Sequence, residues 1–145
     1  MNKLPNKSKL IQKELRASDN RGEIISIIDA EIFNVSIITC ENKSIRSNHY
    51  HKKDYHFMYV LEGQIDYFFK DLDTKKISYY KVLKGDTIFT PPLEIHATYF
   101  PIKTTLIVCS KNPRDQLTYE KDTVRVEFIN NQNLNKMLEI YADSI

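Results

Sequence analysis

From Glu23 onward the chain breaks into short apolar runs divided by polar turns: EIISII, NVSIITC, HFMYVL, QIDYFFK, KISYYKVL, DTIFT, HATYF and TTLIVCS. The runs recur every 8 to 12 residues or so with no long helical period between them, the signature of an all-β sandwich or barrel. They are rich in β-branched and aromatic residues, which suit a pleated, half-buried surface. The turn residues EGQ at 62–64, DLDT at 71–74, KGD at 84–86 and TPPLE at 90–94 fall between the runs and not inside them. In HFMYVL, alternation is expected to turn Met58 and Val60 inward.

The two ends read differently. Residues 1–20 carry Lys3, Lys7, Lys9, Lys13 and Arg16 against Glu14 and Asp19, and are expected to be a polar arm, with a short helix over KLIQKELR as the alternative. TVRVEF from Thr123 alternates as a late strand. NLNKMLEIYADS from Asn133 sets Leu134, Met137, Leu138 and Tyr141 on one helical stripe, so a short helix over 131–145 is expected to cover the barrel or a partner subunit. The barrel proper then spans 21–130.

At 145 residues the chain holds one domain with a proper core. Its 21 basic and 19 acidic residues are spread along its length, without the basic patch that nucleic-acid binding requires. It has no apolar run long enough for a membrane span, and the first twenty residues lack the core of a secretory signal. A cytoplasmic protein acting on a small molecule, with no nucleic-acid or membrane partner, is expected. Cys40 and Cys109 lie far apart and outside any CxxC spacing, as suits two buried free thiols.

The four histidines change this picture. His49 and His51, two apart in HYH, project from the same face of a strand. His56 opens the next run and returns beside them in an antiparallel pair. His96 follows TPPLEI. Three or four neutral imidazoles held on strands are a donor set for a divalent transition metal, Fe, Zn, Ni, Cu or Mn, and imidazole alone does not choose among them.

The spacing of these residues resembles the two motifs of the cupin superfamily. The first reads His49, Tyr50, His51, four residues, His56, six residues, Gly63; the second reads Gly85, DTIFT, Pro91, Pro92, Leu93, EI, His96. The resemblance spans 43–100 and implies a double-stranded β-helix, the jelly-roll form of barrel. It departs from the pattern in three ways. His56 stands at the usual glutamate, Lys43 and Leu93 stand at glycines, and Phe100 stands at an asparagine. A four-histidine site would leave a bound divalent ion its full charge.

NRGEIISI, SNHYHKK and NPRDQLTYEKDTVRV further resemble small sugar-modifying cupins, the relatives of nucleotide-sugar ketoisomerases and 3,5-epimerases. That resemblance implies proton transfer by His49 and His51, a tyrosine acid such as Tyr59 or Tyr67, and phosphate held by Arg46 or Lys53, with a sugar or nucleotide-sugar as substrate and a homodimer as the default assembly. Those relatives work without a metal, whereas here both His56 and His96 are present. Glu94 is a candidate to orient His96 or act as a base.

The readings that follow are a metal-dependent isomerase or epimerase, a metal-dependent dioxygenase, a non-catalytic binding module and a metal-free ketoisomerase. The enzyme readings expect a pocket lined by Phe57, Tyr59, Tyr67, Phe68, Phe89 and Tyr99 or their strand neighbours. Arg114 and Arg125 are expected to pair with Asp115, Glu120 or Asp122.

Overall fold

The computed structural model describes residues 3–143. Residues 1 and 2 of the expected arm, and 144 and 145 of the expected helix, lie outside it. The strands are β1 (Lys9–Leu10), β2 (Glu14–Asp19), β3 (Gly22–Ser26), β4 (Asn34–Cys40), β5 (Ser44–His51), β6 (His56–Glu62), β7 (Gln64–Asp71), β8 (Ile77–Leu83), β9 (Thr87–Thr90), β10 (Glu94–Phe100), β11 (Thr104–Ser110) and β12 (Thr123–Arg125). Helix α1 (Gln116–Asp122) precedes β12, and α2 (Leu134–Met137) runs into a π-helical turn, Leu138–Ala142. No helix among the described residues is long and apolar enough to cross a membrane.

Two five-stranded antiparallel sheets face each other, in the orders β1-β9-β6-β11-β4 and β12-β5-β10-β7-β8. Alternation decides which side chains fill the space between them. Met58 and Val60 turn inward as expected and meet Ile65, Tyr67, Val82, Ile88, Phe100, Leu106 and Val108. Their neighbours Phe57 and Phe89 turn outward, under Leu4, Ile11, Ile28 and Ile32. On the outer face of the second sheet, Phe68, Ile95 and Ala97 are covered by Phe128, Ile129, Leu134, Met137, Leu138 and Tyr141, so the C-terminal helical segment covers the barrel. Cys40 and Cys109 are buried and free.

Part of the expected arm is structure. Lys9 and Leu10 pair with Phe89 and Ile88 at the edge of the first sheet, and Ser8 is buried. Backbone pairing, which polar side chains do not prevent, fixes this segment. Residues 14–26 form a separate ribbon, β2 on β3, and not a helix; it exposes Leu15, Ile24 and Ile25. Helix α1 was not expected, since NPRDQLTYEKD lacks an apolar stripe. Asp115 caps it by accepting from the Thr118 N–H. The late strand stops at Arg125, short of the full TVRVEF run.

The departures from the glycine pattern are absorbed without a change of backbone course. Lys43 and Leu93 both sit in the left-handed region, at φ 64° and 63°. Gly63 (φ 104°) is a true requirement, because a Cβ there would stand 2.2 Å from Thr104 Oγ1.

Candidate active site in the histidine cavity

Strand geometry assembles the histidines. Ser47 and Asn48 both take positive φ, and the register between β10 and β5 slips beside them, so that His96 faces His49 and Ala97 faces Ser47. A bulge of this kind re-aims the residues that follow it. Asn48 is locked in place by accepting from the Ile129 N–H and donating to the Ile129 carbonyl. His49 and His51 then enter the barrel from β5, His96 from the adjacent β10, and His56 from β6 in the facing sheet. Ring centroids lie 4.7 Å apart for His49–His51 and for His49–His96, 5.9 Å for His51–His96, 5.7 Å for His51–His56 and 5.2 Å for His56–His96.

They line a cavity of about 120 Å³ with Arg46, Ser47, Thr98, Arg114 and Tyr119, over an apolar floor that includes Met58, Phe100, Leu106 and Val108. All four histidines are buried. Burial, reinforced by neighbouring positive charge, pushes His49 down to about 3 and His51 down to about 4, with His56 and His96 well below the ordinary value. At neutral pH the cavity therefore holds neutral imidazoles.

Two of them are oriented from behind. His51 Nδ1 lies 3.4 Å from Thr123 Oγ1 and 3.6 Å from Asp122 Oδ2. Asp122 is itself fixed, accepting from the N–H groups of Lys53 and Asp54. His96 Nδ1 lies 3.4 Å from the Glu94 carbonyl. In both rings this leaves Nε2 buried and without a hydrogen-bond partner. An acceptor beside Nδ1 favours the proton on that nitrogen and leaves Nε2 with its lone pair.

The donor set fits a divalent transition ion at His49, His51 and His96, whose nearest ring nitrogens all lie within 4.8 Å of one another. His56 stands outside that convergence, so the expected four-histidine set becomes three plus a neighbour.

The other expected site residues divide. Arg46 lines the cavity. Lys53 is exposed, and its backbone N–H is the group in use. The Glu94 carboxylate accepts from the backbone N–H and hydroxyl of Ser8, whose Oγ also meets the Tyr67 hydroxyl at 2.6 Å; that hydroxyl in turn lies 2.6 Å from Thr90 Oγ1. Tyr67 does stack against His96, at 6.2 Å and 13°, but its hydroxyl belongs to this polar chain, and burial pushes its pKa up. Tyr59 is on the outward-facing set of β6, opposite Ile107. Of the six expected pocket aromatics, none lines the cavity; their strand neighbours Met58 and Phe100 do, the other half of that expectation, together with Tyr119. Alternation accounts for Phe57, Tyr59 and Phe89, and the cover supplied by the C-terminal segment for Phe68 and Tyr99.

Sequence reasoning missed Tyr119, Asp122 and Thr123, and it assigned Arg114 to a surface ion pair. The pair that forms is Arg125 with Glu120, two contacts of 2.8 Å. Arg114 stands over the Tyr119 ring at 5.4 Å. The sequence signal for these residues was that all of them lie in NPRDQLTYEKDTVRV, one of the stretches that resemble the sugar-modifying cupins; it is the pairing of β12 with β5 that brings them to the cavity.

No family model and no curated protein matches this chain. Solved structures do. The sugar 3,4-ketoisomerase QdtA from Thermoanaerobacterium thermosaccharolyticum, in complex with TDP, is 20% identical with a TM-score of 0.65, over 98% of this chain and 99% of that one. A variant of the same enzyme in complex with TDP-4-keto-6-deoxyglucose is 21% identical with a TM-score of 0.65, over 84% and 89%. The TDP-quinovose 3,4-ketoisomerase WlaRB from Campylobacter jejuni is 18% identical with a TM-score of 0.68, over 83% and 94%. At these identities the likeness establishes the architecture: the chain has the cupin fold, an all-β double-stranded β-helix with a short C-terminal helix.

Proposed function

We propose that this protein is an isomerase of keto-sugars, with a nucleotide-linked sugar as substrate and His49 and His51 as the proton carriers. The observation that carries this reading is His51. Its Nδ1 side is held by Thr123 and Asp122, while its Nε2 is buried, neutral and unpartnered at the cavity. That is the arrangement of a general base.

In the step proposed, a C–H next to the ketone gives its proton to an imidazole. The C–H electron pair becomes the double bond of an enediolate, and the carbonyl π pair moves onto oxygen. Reprotonation at the former carbonyl carbon, with the neighbouring hydroxyl's proton passing to the former carbonyl oxygen, transposes the ketone. Atoms and electrons balance with no co-reactant. The cavity of about 120 Å³ is smaller than the roughly 300–1,000 Å³ of sites that enclose a drug-sized ligand. It suits the reacting sugar, with the nucleotide lying outside it and Arg46 near its phosphates. The fold shared with ketoisomerases supports the reading by analogy. The test is NMR in D₂O with TDP-4-keto-6-deoxyglucose and related keto-sugars. Deuterium entering the carbon beside the ketone, with a new keto-sugar as product, is expected; an unchanged, unlabelled substrate across the series refutes the reading.

A second reading rests on a different observation, the convergence of His49, His51 and His96. An ion held there would supply Lewis-acid polarisation of a carbonyl oxygen. A ring nitrogen that binds an ion does not also accept a proton, so the two readings exclude each other at those atoms. Metal content by mass spectrometry on untagged protein separates them: about one ion per chain, lost in His51→Ala and His96→Ala, favours the metal site and brings oxygen-uptake assays for a dioxygenase into play. Affinity for a sugar without turnover would leave a binding module.

The proposed assembly is a homodimer. The ribbon β2–β3 stands on its own with exposed Leu15, Ile24 and Ile25, and a lone two-stranded ribbon is marginal in water. The first sheet ends on β4, which exposes Val35 and Ile37 (62% and 73%) next to Phe33 (72%). The chain's surface of 8973 Å² also exceeds the roughly 7,800 Å² of a typical monomer of this mass. Sedimentation at micromolar concentration tests it, and a single monomeric species would refute it.

A further inference from the structure

The histidine cavity contains a guanidinium whose Nε–H meets no acceptor on the protein. Arg114 lines the cavity beside His49, His51, His56 and His96, and its Nε–H is buried without an acceptor. Its guanidinium is held over the Tyr119 ring at 5.4 Å. Three of the other four arginines show what an ordinary surface role looks like, while Arg46 lines the same cavity. Arg16 binds Glu14 and Asp29, Arg21 binds Asp19, and Arg125 grips Glu120 with both ends of its fork. No ion pair among the described residues falls on Arg114, and no carboxylate is among the residues lining the cavity.

Arginine is a donor only, cannot shed its charge, and presents a planar fork that matches planar oxyanions. Leaving such a donor buried and unmet is unfavourable unless something else fills the place. None of the groups lining the cavity accepts from the Arg114 Nε–H, so the place opposite it is open to an oxygen of the ligand.

We propose that Arg114 is a catalytic residue of this cavity, donating its Nε–H to the oxygen that becomes negative as the sugar's ketone turns into an enediolate. This rests on the isomerase reading and deepens it. Arg46 is thereby freed for the standing charge of the ligand's phosphates, and the two arginines divide the ligand's negative charge between what is permanent and what develops. Tyr119 serves as the platform that holds the guanidinium in plane.

The test separates anion capture from turnover. Oxalate, a planar dianion shaped like an enediolate, is titrated by calorimetry into the protein as purified and into Arg114→Gln, Arg114→Lys and Arg125→Gln. Wild type is expected to bind it, Arg114→Gln to bind at least tenfold more weakly, Arg114→Lys to fall between, and Arg125→Gln to match wild type. If Arg114→Gln melts far below wild type, Arg114→Lys alone decides, since it keeps the charge and loses the fork. Where turnover is found, Arg114→Gln is expected to lose about a hundredfold in kcat with KM within threefold, the loss typical of a missing oxyanion donor. Wild type that takes up no oxalate, or Arg114→Gln that binds it as tightly as wild type, overturns the proposal. An absence of keto-sugar turnover in wild type that still binds oxalate through Arg114 overturns the isomerase reading instead and leaves an anion site.

Discussion

Strand β10 contributes to two buried polar clusters in the same barrel. At Glu94 every group is answered: the carboxylate takes the Ser8 N–H and hydroxyl, Ser8 meets Tyr67, and Tyr67 meets Thr90. Two residues on, His96 faces a cavity where its own Nε2 and that of His51, His56 Nδ1 and Arg114 Nε have no partner. Both clusters are out of water, and both place polar groups where apolar ones would pack. A closed network is part of what holds the barrel, tying the N-terminal segment to the second sheet. An open one is a site awaiting a ligand. Candidate residues in a buried polar core are sorted by whether their bonds are already made.

The largest expected effect that bears on this contrast is at His51. His51→Gln should lower the rate of keto-sugar isomerisation by about a thousandfold, within the range for a general base, while the melting temperature stays within a few degrees. Glu94→Ala should do the reverse. It leaves the Ser8 donors buried and unmet, at a cost of about 2 kcal/mol, read as a fall in denaturant midpoint, with catalysis reduced far less. If Glu94→Ala abolishes turnover in protein that is still fully folded, the closed cluster is part of the site and the contrast breaks.

Acid should separate the clusters by sign. Burial holds the folded histidines far below their free value of 6.5. Between 6.5 and those folded values the unfolded chain takes up protons that the folded chain refuses, so the histidines' contribution to stability is full above 6.5 and falls as pH drops below it. Burial raises Glu94 above its free 4.5. The folded chain there keeps a proton that the unfolded chain releases, so this contribution weakens as pH rises past 4.5. Denaturant midpoints between pH 7.5 and 5 should therefore fall with acidification in wild type and fall less in His56→Leu; an equal fall in both would contradict the account. The smallest effects are expected at Tyr59→Phe and Lys53→Ala, within about twofold of wild type in kcat/KM, because Tyr59 faces outward and only the backbone of Lys53 is used.

The cupin barrel was legible because its signals are local. Period-two alternation put His49 and His51 on one face and turned Met58 inward, and the motif spacing brought in His56 and His96. What escaped depends on contacts distant in sequence. Ser8 reaches Glu94 across 86 positions, and nothing in KSKL announces that its serine is a core residue. Tyr119 and Arg114 come to the cavity because β12 pairs with β5 and brings the loop and helix before it along, a pairing that no periodicity encodes. Tyr59 and Tyr67 were drawn in as candidate acids by closeness in sequence to the histidines. Alternation turned the first outward, and Ser8 and Thr90 claimed the hydroxyl of the second.

The most direct test of the open and closed distinction is the rate of solvent deuterium incorporation into TDP-4-keto-6-deoxyglucose, measured for wild type, His51→Gln and Glu94→Gln at a temperature where all three are folded. Incorporation by wild type is expected, with a loss of about a thousandfold in His51→Gln and a rate within about tenfold of wild type in Glu94→Gln. Equal losses in the two variants, or no incorporation by wild type, would contradict that distinction.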